Sequence, residues 1–203
     1  GLQELGLTVG DKVAILSENR PEWELADFAC LCAGILDVPI YSTLTTAQVA
    51  YILENSEAQL VFVSDAAQVE KALEACRQIE RDLRVVMFDA TDPPQDGVLV
   101  WRNFLEHGRN VAVNGDQRFR AKALEARPDD VATILYTSGT TGDPKGVMLT
   151  NNNLSSNVKS IQRVLPSVSD DTSLVFLPLS HVLQRTGSYV HFCHGVTQVF
   201  AHS

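Results

Sequence analysis

The sequence lacks any run near the roughly 20 consecutive apolar residues that a membrane-spanning helix requires. Its opening, GLQELGLTVGD, has neither the cationic stretch nor the apolar core of a secretory signal. Cysteine is scarce, with Cys30, Cys32, Cys76 and Cys193 spaced irregularly among apolar neighbours. A chain of 203 residues has no need of disulfide staples, so all four are read as reduced core residues. Cys30 and Cys32 stand two apart on a predicted helix and point to different faces, which argues against a shared metal. Basic stripes are missing as well, and a formal net charge of −9 repels polyanions, which excludes nucleic acid as an expected partner. Internal repeats and low-complexity segments are also absent. These absences predict a soluble protein of the cytoplasm.

What is present is globular: 45% hydrophobic and 20% charged residues, far from the signature of disorder. Short apolar runs alternate with helical patterns, as in VAILS (13–17), a helix from about Glu22 to Ala33, and LVFVS (60–64). That alternation predicts an α/β fold of parallel-rich sheets with crossover helices. Pro21 is placed to start the first helix, Glu22 and Glu24 complement its positive end, and Gly34 stops it. A second helix places Val69, Ala72, Cys76 and Ile79 on one face, with Glu70, Lys71, Glu74 and Arg77 on a solvated face, and RVVMF (84–88) follows as a strand. The breaker-rich segment 90–97 and the loop-like composition of 108–115 predict surface excursions around one short helix, closed by Arg127-Pro128-Asp129-Asp130. A weak internal boundary is therefore expected near residues 109–130.

The chemistry is concentrated between two strand-like runs, VATILY (131–136) and VML (147–149), joined through TSGTTGDPKG (137–146). Glycines at 139, 142 and 146 let backbone N–H groups approach an anion closely and form phosphate-holding nests. The hydroxyls of Thr137, Ser138, Thr140 and Thr141 add neutral donors, and Lys145 adds a point charge for outer phosphates. A flexible hydrophilic connector has the same composition, so composition alone leaves both readings open. A Walker A loop is ruled out, because Lys145 precedes Gly146 and a strand rather than opening a helix. Thr150 then offers a capping oxygen to a helix carrying Leu154, Val158, Ile161 and Leu165 on one face.

At these residues the chain resembles the adenylate-forming family of acyl-CoA synthetases, luciferases and peptide-synthetase adenylation domains. YTSGTTGDPKGVMLT is similar to that family's signature, CAGILDVPIYSTLT (32–45) resembles an upstream core segment, and LPLSHVLQRTG (177–187) a downstream aromatic-or-histidine segment. The resemblance implies part of the large N-terminal AMP-binding domain over residues 1–203. It further implies two-step activation of a carboxylate, first to acyl-AMP at the expense of ATP, then to a thioester with CoA. By position, Thr137, Ser138, Gly139, Thr140, Thr141, Gly142 and Lys145 match the phosphate-contacting loop, with Mg²⁺ accompanying ATP, and Lys145, Thr137 and His181 are the expected catalytic residues. His181 also fits a cap for a helix beginning near Leu179.

PIYSTLT and LPLSHVLQRTG are most similar to long-chain fatty acid–CoA ligases, although Gln184 stands where many of them have glutamate before the arginine. Medium-chain and aryl acids stay open as substrates. The family's later adenine-binding motifs, metal-binding glutamate, hinge and C-terminal lysine have no counterpart, so the expectation is a fragment that is inactive alone. A non-catalytic nucleotide- or partner-binding module is the alternative. Other expectations are peripheral membrane association of the full-length protein and self-association through a terminal strand, TQVFA (197–201). His191 and His194, three apart on one predicted helix, supply too few ligands for a metal and are read as packing, with no metal site expected.

Overall fold

The structure, a computed structural model, describes residues 1–89, 96–113, 118–137, 143–165 and 168–201. Its first half alternates β1 (Lys12–Leu16), α1 (Pro21–Ala33), β2 (Leu36–Ile40), α2 (Thr46–Ser56), β3 (Leu60–Val63), α3 (Ala66–Gln78) and β4 (Arg84–Met87). Then come β5 (Val98–Val100), α4 (Trp101–Val113), α5 (Arg118–Leu124), β6 (Val131–Thr137), β7 (Lys145–Thr150) and α6 (Asn151–Val164). The described chain ends with β8 (Thr172–Val175), α7 (Val182–His194) and β9 (Thr197–Phe200).

Seven strands form one sheet in the order β5-β4-β3-β1-β2-β6-β7, all pairs parallel except β6 with β7. Val13, Ala14, Ile15 and Leu16 of β1 are fully buried, as a central strand covered on both faces must be, and such strands read as continuous apolar runs. One face is filled by α2 and α3, with Val49, Leu53, Val69 and Ala72 against Ala14, Leu16 and Val61. On the other face Trp23, Cys30, Phe62, Trp101 and Phe104 pack together. β8 and β9 form a separate parallel pair.

Local signals account for the helices. α1 has Pro21 in its first turn and Gly34 as a left-handed cap at φ 69°, a conformation that costs glycine little. α2 opens on a capping box in which the Thr45 hydroxyl accepts from the Gln48 N–H and the Gln48 side chain accepts from the Thr45 N–H. α6 repeats the device with Thr150 and Asn153, each box satisfying amides that a helix start leaves unpaired.

Two expectations are corrected. The middle region is not loop around one short helix: α4 runs to Val113 and α5 follows from Arg118, because Trp101, Phe104 and Leu105 give the segment an apolar face to bury. Cys193 is exposed rather than core, while Cys30 and Cys76 are buried and Cys32 lies between. The outward face of the last turns of α7 explains it: Cys193 follows Phe192, itself 63% exposed.

Candidate functional site

β6 and β2 run parallel, with Thr133 beside Asp37, so their carboxyl ends, Thr137 and Ile40, emerge at the same edge of the sheet. Ligands of open α/β sheets gather at that edge, outside the carboxyl ends of the strands. The chain leaves it at Thr137 and returns at Lys145, and these two residues face each other as the last pair of the β6–β7 ladder. The two strands therefore close as a hairpin at that edge. A cavity of about 460 Å³ lies here, lined by Ile40 at the end of β2 and Tyr41 after it, Thr137 and Pro144 at the hairpin, and Ser180 and His181 before α7.

Thr137, Lys145 and His181 are exposed. Thr137 and His181 share the cavity, and Lys145 stands across the ladder from Thr137. Ser138, Gly139, Thr140, Thr141 and Gly142 lie outside the described residues. His181 takes the cap position of α7, which begins at Val182 rather than near Leu179, and its Nδ1 accepts from the Leu183 N–H at 3.2 Å. A neutral ring accepting at Nδ1 carries its proton on Nε2, which leaves a donor for the cavity. His181 thus both caps the helix and lines the cavity.

Gly146 has a packing role. A Cβ there would come within 2.9 Å of Ile134 Cγ2 and 3.3 Å of Tyr136 Cζ, a crowding that only glycine avoids. The closely packed Tyr136 donates its hydroxyl to Asn55 Oδ1 at 2.6 Å and meets Tyr51 edge-on. Burial, with Tyr51 nearby, pushes its hydroxyl pKa up to about 12. Tyr136 thereby pins the end of β6 to α2.

Sequence reasoning missed the buried network on the opposite side of β6. Arg185, 1% exposed, donates through Nε to Tyr189 Oη at 2.7 Å and to Asp27 Oδ2 at 3.2 Å. Its Nη1 donates to Thr133 Oγ1 at 2.8 Å, and its Nη2 to Asp37 Oδ1 at 2.8 Å and to Asp27 Oδ1. One guanidinium thus faces two carboxylates, both within the core. Burial works to lower the Arg185 pKa, but the carboxylates of Asp27 and Asp37 outweigh it and hold that pKa well above its ordinary value. Burial pushes Asp37 up to about 7, against the pull of Arg185 and with the charge of Asp27 adding to it. The one signal in the sequence is an arginine among the apolar residues of a helix, which is rarely buried unless paired.

His191 and His194 sit in the last turn of α7. Among the described residues no three His, Cys, Asp or Glu side chains gather where they could hold a metal ion. No helix there is long and apolar enough to cross a membrane.

The hairpin, its cavity and the sheet that carries them define the class: the chain belongs to the AMP-binding enzyme family, whose model matches residues 1–203. Within that family it is similar to the long-chain-fatty-acid–CoA ligase FadD15 of Mycobacterium bovis, 35% identical over 203 residues that cover 98% of this chain and 32% of the relative. It is also similar to the peroxisomal long chain acyl-CoA synthetase 6 of Arabidopsis thaliana, 34% identical over 209 residues, covering 98% and 28%. The chain thus spans about a third of the length of these curated relatives. The architecture matches the inhibitor-bound crystal structure of the N-terminal domain of FACL13 from Mycobacterium tuberculosis with a TM-score of 0.76 at 29% identity, covering 98% of this chain and 46% of that one.

Proposed function

We propose that this chain is the phosphate-handling part of an enzyme that activates a fatty-acid carboxylate with ATP and passes the acyl group to CoA. The observation that carries the reading is the hairpin at the carboxyl end of the sheet, which brings Thr137 to a cavity shared with His181 and sets Lys145 across the ladder from Thr137. A carboxylate is a poor electrophile, and attack by its oxygen on the α-phosphorus of ATP makes a mixed anhydride while pyrophosphate leaves. A thiol then displaces AMP. Charge builds on the departing phosphates, and preorganised donors aimed at them lower the barrier.

The exposed groups fit that task. The Lys145 ammonium offers three donors on a flexible stem for outer-phosphate oxygens, and the Thr137 hydroxyl adds a neutral donor beside it. Ser138, Gly139, Thr140, Thr141 and Gly142 would complete the cradle. His181, fixed by its cap bond, would offer Nε2–H to the nucleotide or the acyl carboxylate. Mg²⁺ on the triphosphate would neutralise part of its charge, since that ion is commonly held through substrate phosphates.

Relatives named for long-chain fatty acids support that substrate class, as does the segment from Leu177 to Gly187. Because the chain spans about a third of those relatives, the reaction is assigned to the whole protein and residues 1–203 alone are expected to release no acyl-AMP. The exposed Leu174 and Val199 of β8 and β9 favour self-association of residues 1–203. We place the protein in the cytoplasm, with contact to membrane surfaces where its acyl substrates reside.

The test is pyrophosphate exchange into ATP by the whole protein with a panel of carboxylates. Laurate, palmitate and oleate should support exchange. Exchange with only acetate or benzoate would overturn the fatty-acid assignment, and ATP binding without exchange on any acid would point to a non-catalytic module.

A further inference from the structure

The hairpin β6–β7 is joined to the parallel sheet by little backbone. β1 pairs with β2 along Lys12–Leu16, yet β2 pairs with β6 at a single position, Asp37 with Thr133. Pro39 explains the short ladder. Residues two apart on a strand turn their backbone groups to the same neighbour, so Pro39 faces β6 as Asp37 does, and proline has no N–H to donate. Nearer the carboxyl end, where the site lies, the next rung of the ladder is missing.

Side chains reinforce the one rung that exists. Thr133 Oγ1 donates to the Asp37 carbonyl at 3.1 Å and accepts from Arg185 Nη1 at 2.8 Å, while Arg185 Nη2 holds the Asp37 carboxylate at 2.8 Å. Arg185 is also one helical turn beyond His181, with its backbone N–H donating to the His181 carbonyl at 3.2 Å. The guanidinium therefore ties together β2, β6 and the start of α7, the three elements whose ends line the cavity. A planar fork with fixed donor directions sets such distances better than a flexible ammonium does.

We infer that Arg185 is a positioning residue: clamped to Asp37 and Thr133, it replaces the ladder that Pro39 removes and sets Thr137 and the phosphate-loop hairpin at a fixed distance from His181. The catalytic part of this inference rests on the adenylate-forming reading; the mechanical part does not. The hydrogen bonds on the α1 side, among Arg185, Tyr189 and Asp27, anchor the helix and reach no group of β2 or β6.

Three variants of the whole protein separate the two roles: Thr133→Val, Arg185→Lys and Tyr189→Phe. In fatty-acid-dependent pyrophosphate exchange, Thr133→Val and Arg185→Lys should lower kcat about ten- to a hundredfold with a smaller change in KM for ATP, as misplacement of reacting groups by about 1 Å can do. Tyr189→Phe should lower the melting temperature and leave kcat within about twofold, well below the effect of such a misplacement. Hydrogen exchange reads the clamp without reference to activity. Amides of β6 and β7 should exchange at least about tenfold faster in Thr133→Val while those of β1 and β3 keep their protection, the mark of local rather than global opening. A hairpin whose exchange is unchanged, or a kcat that merely tracks melting temperature across all three variants, would overturn the inference. A loosened hairpin in a protein inactive on every acid would leave the clamp standing and overturn only the adenylate-forming reading.

Discussion

The two ends of the seven-stranded sheet are built differently. Around β1, β3 and β4 the ladders run in register over whole strands, and Phe62, Leu16 and Val61 are fully buried between helices on both faces. At the other end, β6 meets β2 at one backbone pair, and Val147 and Met148 of β7 are 43% and 65% exposed. Apolar burial holds the first end, whereas at the second the burial of Ala132 and Ile134 is joined by a buried ion network and a tyrosine hydrogen bond. The division is what the proposed phosphate-handling role requires, because donors that serve a ligand cannot also be consumed by packing.

The sharpest contrast should appear on truncation of the core. Phe62→Ala removes a ring that stacks on Phe88 and meets Trp101 and Phe104 edge-on, and should cost about 3–5 kcal/mol in denaturant unfolding. A loss below about 1 kcal/mol would mean that the parallel end is not the stability core, since collapse of the site rarely recovers so much.

A pH series tests the other end. The Asp37 carboxyl titrates at about 7 in the fold against an ordinary value of 3.8, so between those values the folded state holds a proton that the unfolded state has released. Stability should therefore fall as pH rises through that window, with a slope of at most about 1.4 kcal/mol per pH unit, and level off above it. The groups facing Asp37 are Arg185 of α7, Asp27 and Cys30 of α1 and Thr133 of β6. Asp37→Asn keeps an acceptor for Arg185 and should abolish this component of the slope, leaving the variant more stable than the wild type at pH 8 relative to pH 5. Identical pH profiles for the two proteins would show that Asp37 does not titrate there.

The capping boxes give the smallest effects and the closest comparison. Thr45→Ala at α2 and Thr150→Ala at α6 should each cost about 1 kcal/mol. Only Thr150→Ala, at the end of β7, should also slow pyrophosphate exchange. Equal kinetic effects from both would erase the distinction between the two ends.

Much of the fold is legible in local sequence signals. Pro21 and Gly34 bracket α1, the apolar spacing of Val69, Ala72 and Cys76 gives α3, and VATILY and VML give the two hairpin strands on either side of the loop. α2 escapes notice although Thr45 and Gln48 form its capping box, because LENSEAQ dilutes the apolar period after Ile52 and Leu53. The sequence understates α4 because Gly108, Asn110 and Asn114 have loop composition, whereas packing against Trp101 and Phe104 decides the matter. The Arg185 network is out of reach for a different reason. Asp27, Asp37 and Thr133 lie 158, 148 and 52 residues from Arg185, and only the sheet order brings them together. Local chemistry locates the hairpin that would bind phosphate, and long-range pairing determines what holds it in place.

Lys145→Ala in the whole protein tests the central claim most directly, read as oleate-dependent pyrophosphate exchange beside thermal unfolding. Lys145 is exposed at the hairpin's last ladder pair, so the melting temperature should stay unchanged. Loss of a charge-assisted contact to phosphate, worth about 1.5–3 kcal/mol, should slow exchange roughly ten- to a hundredfold. Exchange within about twofold of wild type, less than about 0.5 kcal/mol in the barrier, in a variant that unfolds at the wild-type temperature would contradict the account and make Lys145 a solvated loop residue.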